Sequence, residues 1–461
     1  MKKLLIALCY CTLTCPALAQ DQPVQGFVHE QSRGTDYIWP TDPQVLEKLD
    51  QWQDLKFGVL FHWGLYSVPG IVESWSICSE DVDWITRKEP LPYDEYKKWY
   101  FGLQEKLVPT QFNPEHWADV MEKTGMKYMI FTSKHHDGFC LYDSQYTDFS
   151  IAKGPFRDNP RADAARYVWD AFRARNFMIG CYFSKPDWHT EWYWNPAYAT
   201  PNRHQNYLKE RHPEWWQNYV TFTQNQLDEL MTRYGKFDIL WLDGGWVTGK
   251  DIDLDGVLKK ARLKQPGLIA VNRANHDQNE NYQTPERGIP ETQLDYPWES
   301  CLPLSWDWGW VPDAPYKSAR WIINTLAEIT AKGGCFLLGV GPTAQGTIED
   351  REVQILEKAG QWLKANGRAI YGTRNAKIYH DGNTWFTADK DQKTLYAIYT
   401  LPEEETLPAT IQWHGNIPTG KMKLLSNNKT VRYTVKGDQV TVTLPKGTPQ
   451  ETLAFMFQVK K

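Results

Sequence analysis

The chain has 461 residues, 28 prolines, 31 glycines and a formal charge of −5, with 23 Trp and 24 Tyr raising its aromatic share to 14%. Its acidic balance argues against a nucleic-acid partner, and its length allows two domains. There is no CxxC pair, HExxH motif, P-loop or GxGxxG fingerprint, so the common zinc, nucleotide and NAD chemistries have no support.

The chain opens with Met1-Lys2-Lys3, an apolar stretch from Leu4 to Leu13, and Ala17-Leu18-Ala19 before Gln20. That pattern predicts a secretory signal over residues 1–19 and a mature chain that is periplasmic or secreted. Removing those residues deletes Lys2 and Lys3 and takes the charge from −5 to −7. No later run approaches the roughly 18 apolar residues of a membrane span. Cys9, Cys11 and Cys15 fall in the signal, leaving Cys78, Cys140, Cys181, Cys301 and Cys335, an odd, widely spaced set that is no disulfide framework.

Between about residues 50 and 370, helical patterns alternate with short apolar strands. The strands are expected at 57–61, 127–132, 177–183, 237–242, 267–271 and 335–340. The clearest unit begins at Asn113-Pro114-Glu115, a helix cap followed by Pro and an acidic first turn, stops at Gly125, and enters the second strand. Further helices are expected near 164–175, 219–234 and 319–330. Six such strands imply a (β/α)8-like barrel over residues 20–372 with one or two strands unplaced; an open doubly wound sheet is the alternative. After residue 373 the pattern changes to alternating residues at 394–400, 410–413, 421–425, 431–435 and 439–443, with Lys436-Gly437-Asp438 as a hairpin signal. Residues 373–461 therefore read as an antiparallel β-sandwich that covers the barrel.

The most informative segment is Phe237-Asp238-Ile239-Leu240-Trp241-Leu242-Asp243-Gly244-Gly245-Trp246. An apolar strand delivers a carboxylate into two glycines at its carboxyl end, where α/β folds bind ligands and where glycine lets a ligand approach the backbone. The other strand ends are also polar or aromatic: Phe61-His62-Trp63-Gly64, Ser133 to Phe139 with His135 and His136, Tyr182 to His189, and Asn272-Arg273. A lone histidine at one such end would be structural; five ends converging on one rim point to a site. His62, His135, His136 and Asp243 invite a metal reading, but adjacent histidines at a strand end point in different directions, unlike an HxH pair. A sugar site suits them better. Imidazoles bond hydroxyls, Trp63 stacks on a ring face, and Arg273 fixes a carboxylate or a hydroxyl pair. Glycoside cleavage then needs two carboxyls. Asp243 is the nucleophile candidate, while Glu280, Glu286, Glu291 and Glu299, all placed in the loop after the fifth strand, remain open as the acid.

These motifs together resemble the α-L-fucosidases of glycoside hydrolase family 29 over roughly residues 45–375. The resemblance is carried by Phe61 to Pro69, Lys134 to Phe139, Tyr182 to His189, Trp241 to Gly244 and Val271 to Arg273, with Thr284 to Glu286, Pro297 to Cys301 and Leu337 to Pro342. It implies a metal-free, cofactor-free retaining mechanism on fucosylated oligosaccharides or glycans, with Asp243 as nucleophile. It further implies that His62, His135, His136, Tyr182 and Arg273 contact the fucose and that Trp308 packs against its methyl face. Glu286 matches the acid/base position, with Glu299 in reserve. Glu73 and Trp75 fall where many members have an adjacent Glu-Trp pair; here Ser74 separates them. Leu242 stands where many relatives have phenylalanine and Gly339 where many have asparagine. A galactose-configured substrate, or a catalytically silent sugar-binding protein on the same scaffold, are the alternatives.

Overall fold

The computed structural model describes residues 37–78, 84–85, 87–200 and 202–459. The expected signal segment lies outside the described residues.

Seven parallel strands form the first sheet: β1 (Phe57–Phe61), β2 (Tyr128–Lys134), β3 (Met178–Ser184), β4 (Ile239–Asp243), β5 (Ile269–Asn272), β6 (Glu299–Pro303) and β7 (Cys335–Val340). Their order is β5-β4-β3-β2-β1-β7-β6. Helices α1 (Pro43–Leu55), α2 (Tyr93–Phe101), α3 (Pro114–Thr124), α4 (Ala164–Arg173), α5 (Pro213–Arg233), α6 (Leu254–Lys264), α7 (Ala319–Ala331) and α8 (Asp350–Asn366) accompany them. The start of α3 is as expected: Asn113 caps it by accepting from His116 N at 3.1 Å, and Gly125 ends it at φ 90°.

The strand that sequence did not place is β6, in a stretch expected as loop. The gap between β5 and β6 is closed by the irregular segment 279–287. Asn281 N donates to Ala270 O on the β5 side at 2.8 Å, while Glu299 N donates to Gln283 O at 2.8 Å and Arg287 N to Cys301 O at 2.9 Å on the other. The barrel thus has seven regular strands and one improvised stave, and Glu286 sits on that stave.

Side chains alternate between two layers, as the two-residue strand period requires. Outward residues such as Phe61, Phe183 and Leu242 join the large core under the helices, whereas Leu60, Ile130, Tyr182, Trp241, Val271, Cys301 and Leu337 fill the barrel interior. Leu242, which stands where many relatives have phenylalanine, therefore faces the helices and does not line the barrel mouth.

From Arg374 the chain builds an eight-stranded antiparallel sheet: β8 (Arg374–Asp381), β9 (Thr384–Ala388), β10 (Thr394–Tyr399), β11 (Thr410–His414), β12 (Pro418–Leu424), β13 (Lys429–Lys436), β14 (Gln439–Thr443) and β15 (Leu453–Val459). It folds over its own apolar face, with Phe386, Trp413, Val442 and Phe455 at the centre. The sheet is tied to the barrel's flank. Lys390 bonds Asp50 and Asp54 at 2.9 Å, and Trp362 Nε1 donates to Thr452 O at 2.7 Å. All five described cysteines are buried and unpaired with one another. Among the described residues no helix is long and apolar enough to cross a membrane.

Candidate active site

At the carboxyl ends of the strands lies a pocket lined by Leu60, His62, Glu73, Trp75, His135, His136, Tyr182, Trp241, Asp243, Arg273, Glu286 and Trp308. Such rims are where barrel enzymes place their chemistry, because loops from successive strands meet there.

Asp243 is the last residue of β4 and points inward two positions after Trp241. Its Oδ2 accepts from Tyr182 Oη at 2.6 Å and its Oδ1 from Arg273 Nη1 at 2.9 Å. Burial and then Asp243 raise the Tyr182 phenol well above its usual value, so it stays a donor. Gly244 follows at φ +80°, and a Cβ there would lie 2.2 Å from Pro186 Cδ. Glycine is required at that turn by its packing against Pro186.

Arg273 is shared. Its Nη2 donates to Glu286 Oε2 at 2.7 Å and its Nε to Thr284 Oγ1 at 3.0 Å, while the guanidinium lies 4.3 Å from the Trp241 ring centre. Thr284 and Glu286 reach the same arginine because they are two residues apart on an extended stave. Burial opposes the arginine's charge, but Asp243 and Glu286 more than offset it and its pKa is raised. Glu286 Oε1 also accepts from Trp308 Nε1 at 3.2 Å.

The histidines are set by serines. His135 Nδ1 lies 2.5 Å from Ser74 Oγ, and His136 Nδ1 lies 2.7 Å from Ser184 Oγ. Because Ser184 Oγ donates to Pro186 O at 2.8 Å, it accepts from His136, which assigns the Nδ1–H tautomer to that ring. Burial depresses His135 to about 4 and pushes His62 well below its usual value, so both are neutral hydrogen-bonding groups at neutral pH. His62 Nδ1 is buried with no partner among the described residues.

Ligand atoms of His135, His136 and Asp243 come within 4.8 Å of one another, the one such group among the described residues. Serines hold both Nδ1 atoms, and Tyr182 and Arg273 hold both Asp243 oxygens. A cationic guanidinium beside the trio opposes a second cation.

Glu73 closes the rim. Its Oε1 accepts from Trp308 N at 2.6 Å and Gly309 N at 2.7 Å, and burial together with Asp307 raises its carboxyl pKa. Gly339 explains how Trp308 fits: a Cβ there would lie 2.6 Å from Trp308 Cε3. The glycine that stands in place of asparagine makes room for the indole.

Two expectations are corrected. Trp63 is 1% exposed and outside the cavity, donating Nε1 to Thr343 O at 2.9 Å and stacking on Phe112, because it lies one residue out of phase with the inward-facing His62. Glu299 is no loop residue: it begins β6 in the barrel floor, accepting from Tyr128 Oη at 2.7 Å and Trp241 Nε1 at 3.3 Å, with Trp241 between it and the cavity. Of the other acid candidates, Glu280 accepts from the backbone of Ala274 and His276, and Glu291 is exposed. Only Glu286 of the four lines the cavity. Sequence reasoning missed Ser74, Ser184 and Thr284, whose roles exist only through their neighbours.

The family model described as Alpha-L-fucosidase matches residues 25–368. Plasma alpha-L-fucosidase of Homo sapiens is 29% identical over 379 residues, covering 76% of each chain. The alpha-L-fucosidase of Dictyostelium discoideum is 25% identical over 449 residues, 91% of this chain and 94% of that one. Among solved structures, alpha-L-fucosidase isoenzyme 1 from Paenibacillus thiaminolyticus superposes with a TM-score of 0.76 at 27% identity, covering 91% of this chain and 100% of that one. The alpha-fucosidase of Thermotoga maritima, solved with a mechanism-based inhibitor, gives a TM-score of 0.72 at 26% identity, with 92% and 100% covered. With three quarters of its length inside that family model and a carboxylate-lined barrel mouth, the chain belongs to the alpha-L-fucosidase family of glycoside hydrolases.

Proposed function

We propose that the protein is a retaining, exo-acting α-L-fucosidase of fucosylated oligosaccharides or glycans, with Asp243 as nucleophile and Glu286 as acid/base. The observation that carries this reading is the single guanidinium of Arg273 holding both carboxylates, at 2.9 and 2.7 Å. Two carboxyls on one planar fork are kept on a short span, which favours the separation of about 5–5.5 Å of retaining enzymes over the wider gap of inverting ones.

Asp243 attacks the anomeric carbon and forms a glycosyl ester as the glycosidic bond breaks, while Glu286 gives its proton to the departing oxygen. Water then attacks the anomeric carbon, the bond from that carbon to Asp243 breaks, Glu286 takes the water's proton, and Asp243 leaves as carboxylate. The proton that Glu286 gives up in the first step is replaced by the one it takes from water in the second, so the two steps return it to its starting form. Tyr182 orients Asp243, the neutral imidazoles of His62 and His135 and the ring of His136 bond the sugar hydroxyls, and Trp75 and Trp308 flank the ring.

The test is hydrolysis of aryl α-L-fucoside, with galactosides as controls, by wild type, Asp243→Ala and Glu286→Ala, each with and without azide. Abolished turnover in Asp243→Ala, with azide returning an inverted fucosyl azide there and a retained one in Glu286→Ala, is the expected outcome. Undiminished turnover in Asp243→Ala would sink the assignment, and cleavage of galactosides alone would move the substrate.

A second reading is favoured by one observation: Glu73 is a buried carboxyl in the same cavity with a raised pKa. Azide rescue in Glu73→Ala rather than in Glu286→Ala would make Glu73 the acid. We also infer from Lys2, Lys3, the stretch Leu4 to Leu13 and Ala17-Leu18-Ala19 that the chain is exported and cut after Ala19. A mature amino terminus still carrying Met1 would overturn that.

A further inference from the structure

The leaving group must lie against the acid, and the surface beside Glu286 is unusual. The loop after β6 carries Trp308 into the cavity and turns Trp306 outward, where its side chain is the most exposed tryptophan among the described residues at 61%. An exposed indole on a slack loop would need no explanation. This loop is not slack. Lys317 Nζ donates to Pro303 O and Ser305 O at 2.6 Å, Arg287 Nη1 donates to Trp306 O at 2.6 Å, and Glu73 accepts from Trp308 N and Gly309 N at 2.6 and 2.7 Å. Three charged side chains therefore hold the backbone on both sides of Trp306.

Arg287 links this loop to the acid. It follows Glu286 directly, at φ 54°, and its guanidinium lies 5.4 Å from the Trp308 ring centre. The same indole donates its N–H to Glu286. Glu286 meets the edge of Trp308, Arg287 meets its face, and Trp306 stands two residues away with its indole in solvent.

Resting on the reading of Glu286 as acid, we propose that Trp306 and Arg287 form the leaving-group subsite and that it takes a second pyranose ring. An indole held rigid in solvent offers a flat apolar face to the C–H face of a sugar, and a planar guanidinium offers N–H donors spaced for hydroxyl pairs. Preorganisation spares the entropy of ordering the loop on binding. The substrate is accordingly an oligosaccharide whose penultimate sugar stacks on Trp306.

The test compares kcat/KM for methyl α-L-fucoside, which has no second ring, with a panel of α-L-fucosyl disaccharides of different linkage, in wild type, Trp306→Ala and Trp306→Phe. Taking each variant's disaccharide-to-methyl ratio against that of wild type cancels the intrinsic chemistry of the leaving groups. The expected result is a ratio lowered about tenfold or more in Trp306→Ala for the best disaccharide, and largely restored by Trp306→Phe. A Trp306→Ala ratio within about twofold of wild type for every linkage, with fucoside hydrolysis intact, would overturn the subsite alone. Wild type that cleaves no fucoside would remove the proposed function, and this inference with it.

Discussion

Glu73 Oε1 accepts the backbone N–H of Trp308 at 2.6 Å, fastening the segment after β1 to the loop after β6 across the mouth of the barrel. A buried carboxyl that satisfies two consecutive amides is a latch on the residue that walls the cavity.

Breaking that latch should loosen Trp308. We expect Glu73→Ala to lower kcat/KM on aryl fucoside by about 100-fold and to destabilise the protein by about 1–3 kcal/mol, the cost of orphaned buried donors. Glu73→Gln, whose amide oxygen still accepts, should retain more of both. Steady-state kinetics and thermal unfolding on the same preparations decide it; equal losses in the two variants would mean that the charge itself is needed.

Gly339 and Trp308 should be coupled. A Cβ at position 339 lies 2.6 Å from the indole, so Gly339→Ala must displace the ring at a cost of about 1–3 kcal/mol in packing, with a loss of activity. Adding Trp308→Phe, a smaller ring, should recover part of that stability. A double-mutant cycle with purely additive losses would contradict the contact.

Glu299→Ala should behave as a stability variant. It removes the acceptor of Trp241 Nε1 and the shorter of two acceptors of Tyr128 Oη, which keeps Phe336 O at 3.3 Å, and an orphaned buried donor costs about 1–3 kcal/mol. Activity per folded molecule should show no azide rescue and no heightened dependence on the leaving group. Rescue there, rather than in Glu286→Ala, would reinstate Glu299 as the acid.

Glu352, in the first turn of α8, is buried with Oε2 unpartnered among the described residues, and burial raises its carboxyl to about 8. The folded state holds this proton more tightly than the unfolded chain, so Glu352 favours folding most below about pH 4.5 and loses that contribution as pH rises toward 8. Glu352→Gln copies the neutral form. Its melting temperature relative to wild type should therefore rise between pH 5 and pH 9, by up to a few degrees for each kcal/mol recovered. A difference that is flat with pH would show that Glu352 is ionised in the fold.

Much of the architecture was legible because it depends on local pattern. The Asn113 cap and Gly125 stop bracket α3 as expected, and the run ending at Asp243 is β4. The Lys436-Gly437-Asp438 signal likewise falls between β13 and β14. The strand β6 was not legible because Glu299-Ser300-Cys301-Leu302-Pro303 has neither an apolar run nor alternation; it is a strand because β7 pairs along it. The strands β8, β9 and β15 lie outside the expected set: 374–381 lacks clear alternation, although Asp381-Gly382-Asn383 marks the turn between β8 and β9.

By itself the sequence determined that a carboxylate ends a buried strand, that histidines, a tyrosine and an arginine end its neighbours, and that the fold places such ends on one rim. Strand period and barrel topology suffice for that. Only the tertiary structure decided which glutamate joins them. Glu280, Glu286, Glu291 and Glu299 have similar surroundings in sequence, yet the stave 279–287 pairs with β5 on one side and β6 on the other. That pairing puts Glu286 on Arg273 and leaves Glu299 in the floor. It also decided that His62 rather than Trp63 enters the cavity, since adjacent residues face opposite layers, and that Trp308 fits because position 339 has no side chain. These are contacts between residues far apart in the chain, and no local pattern encodes them.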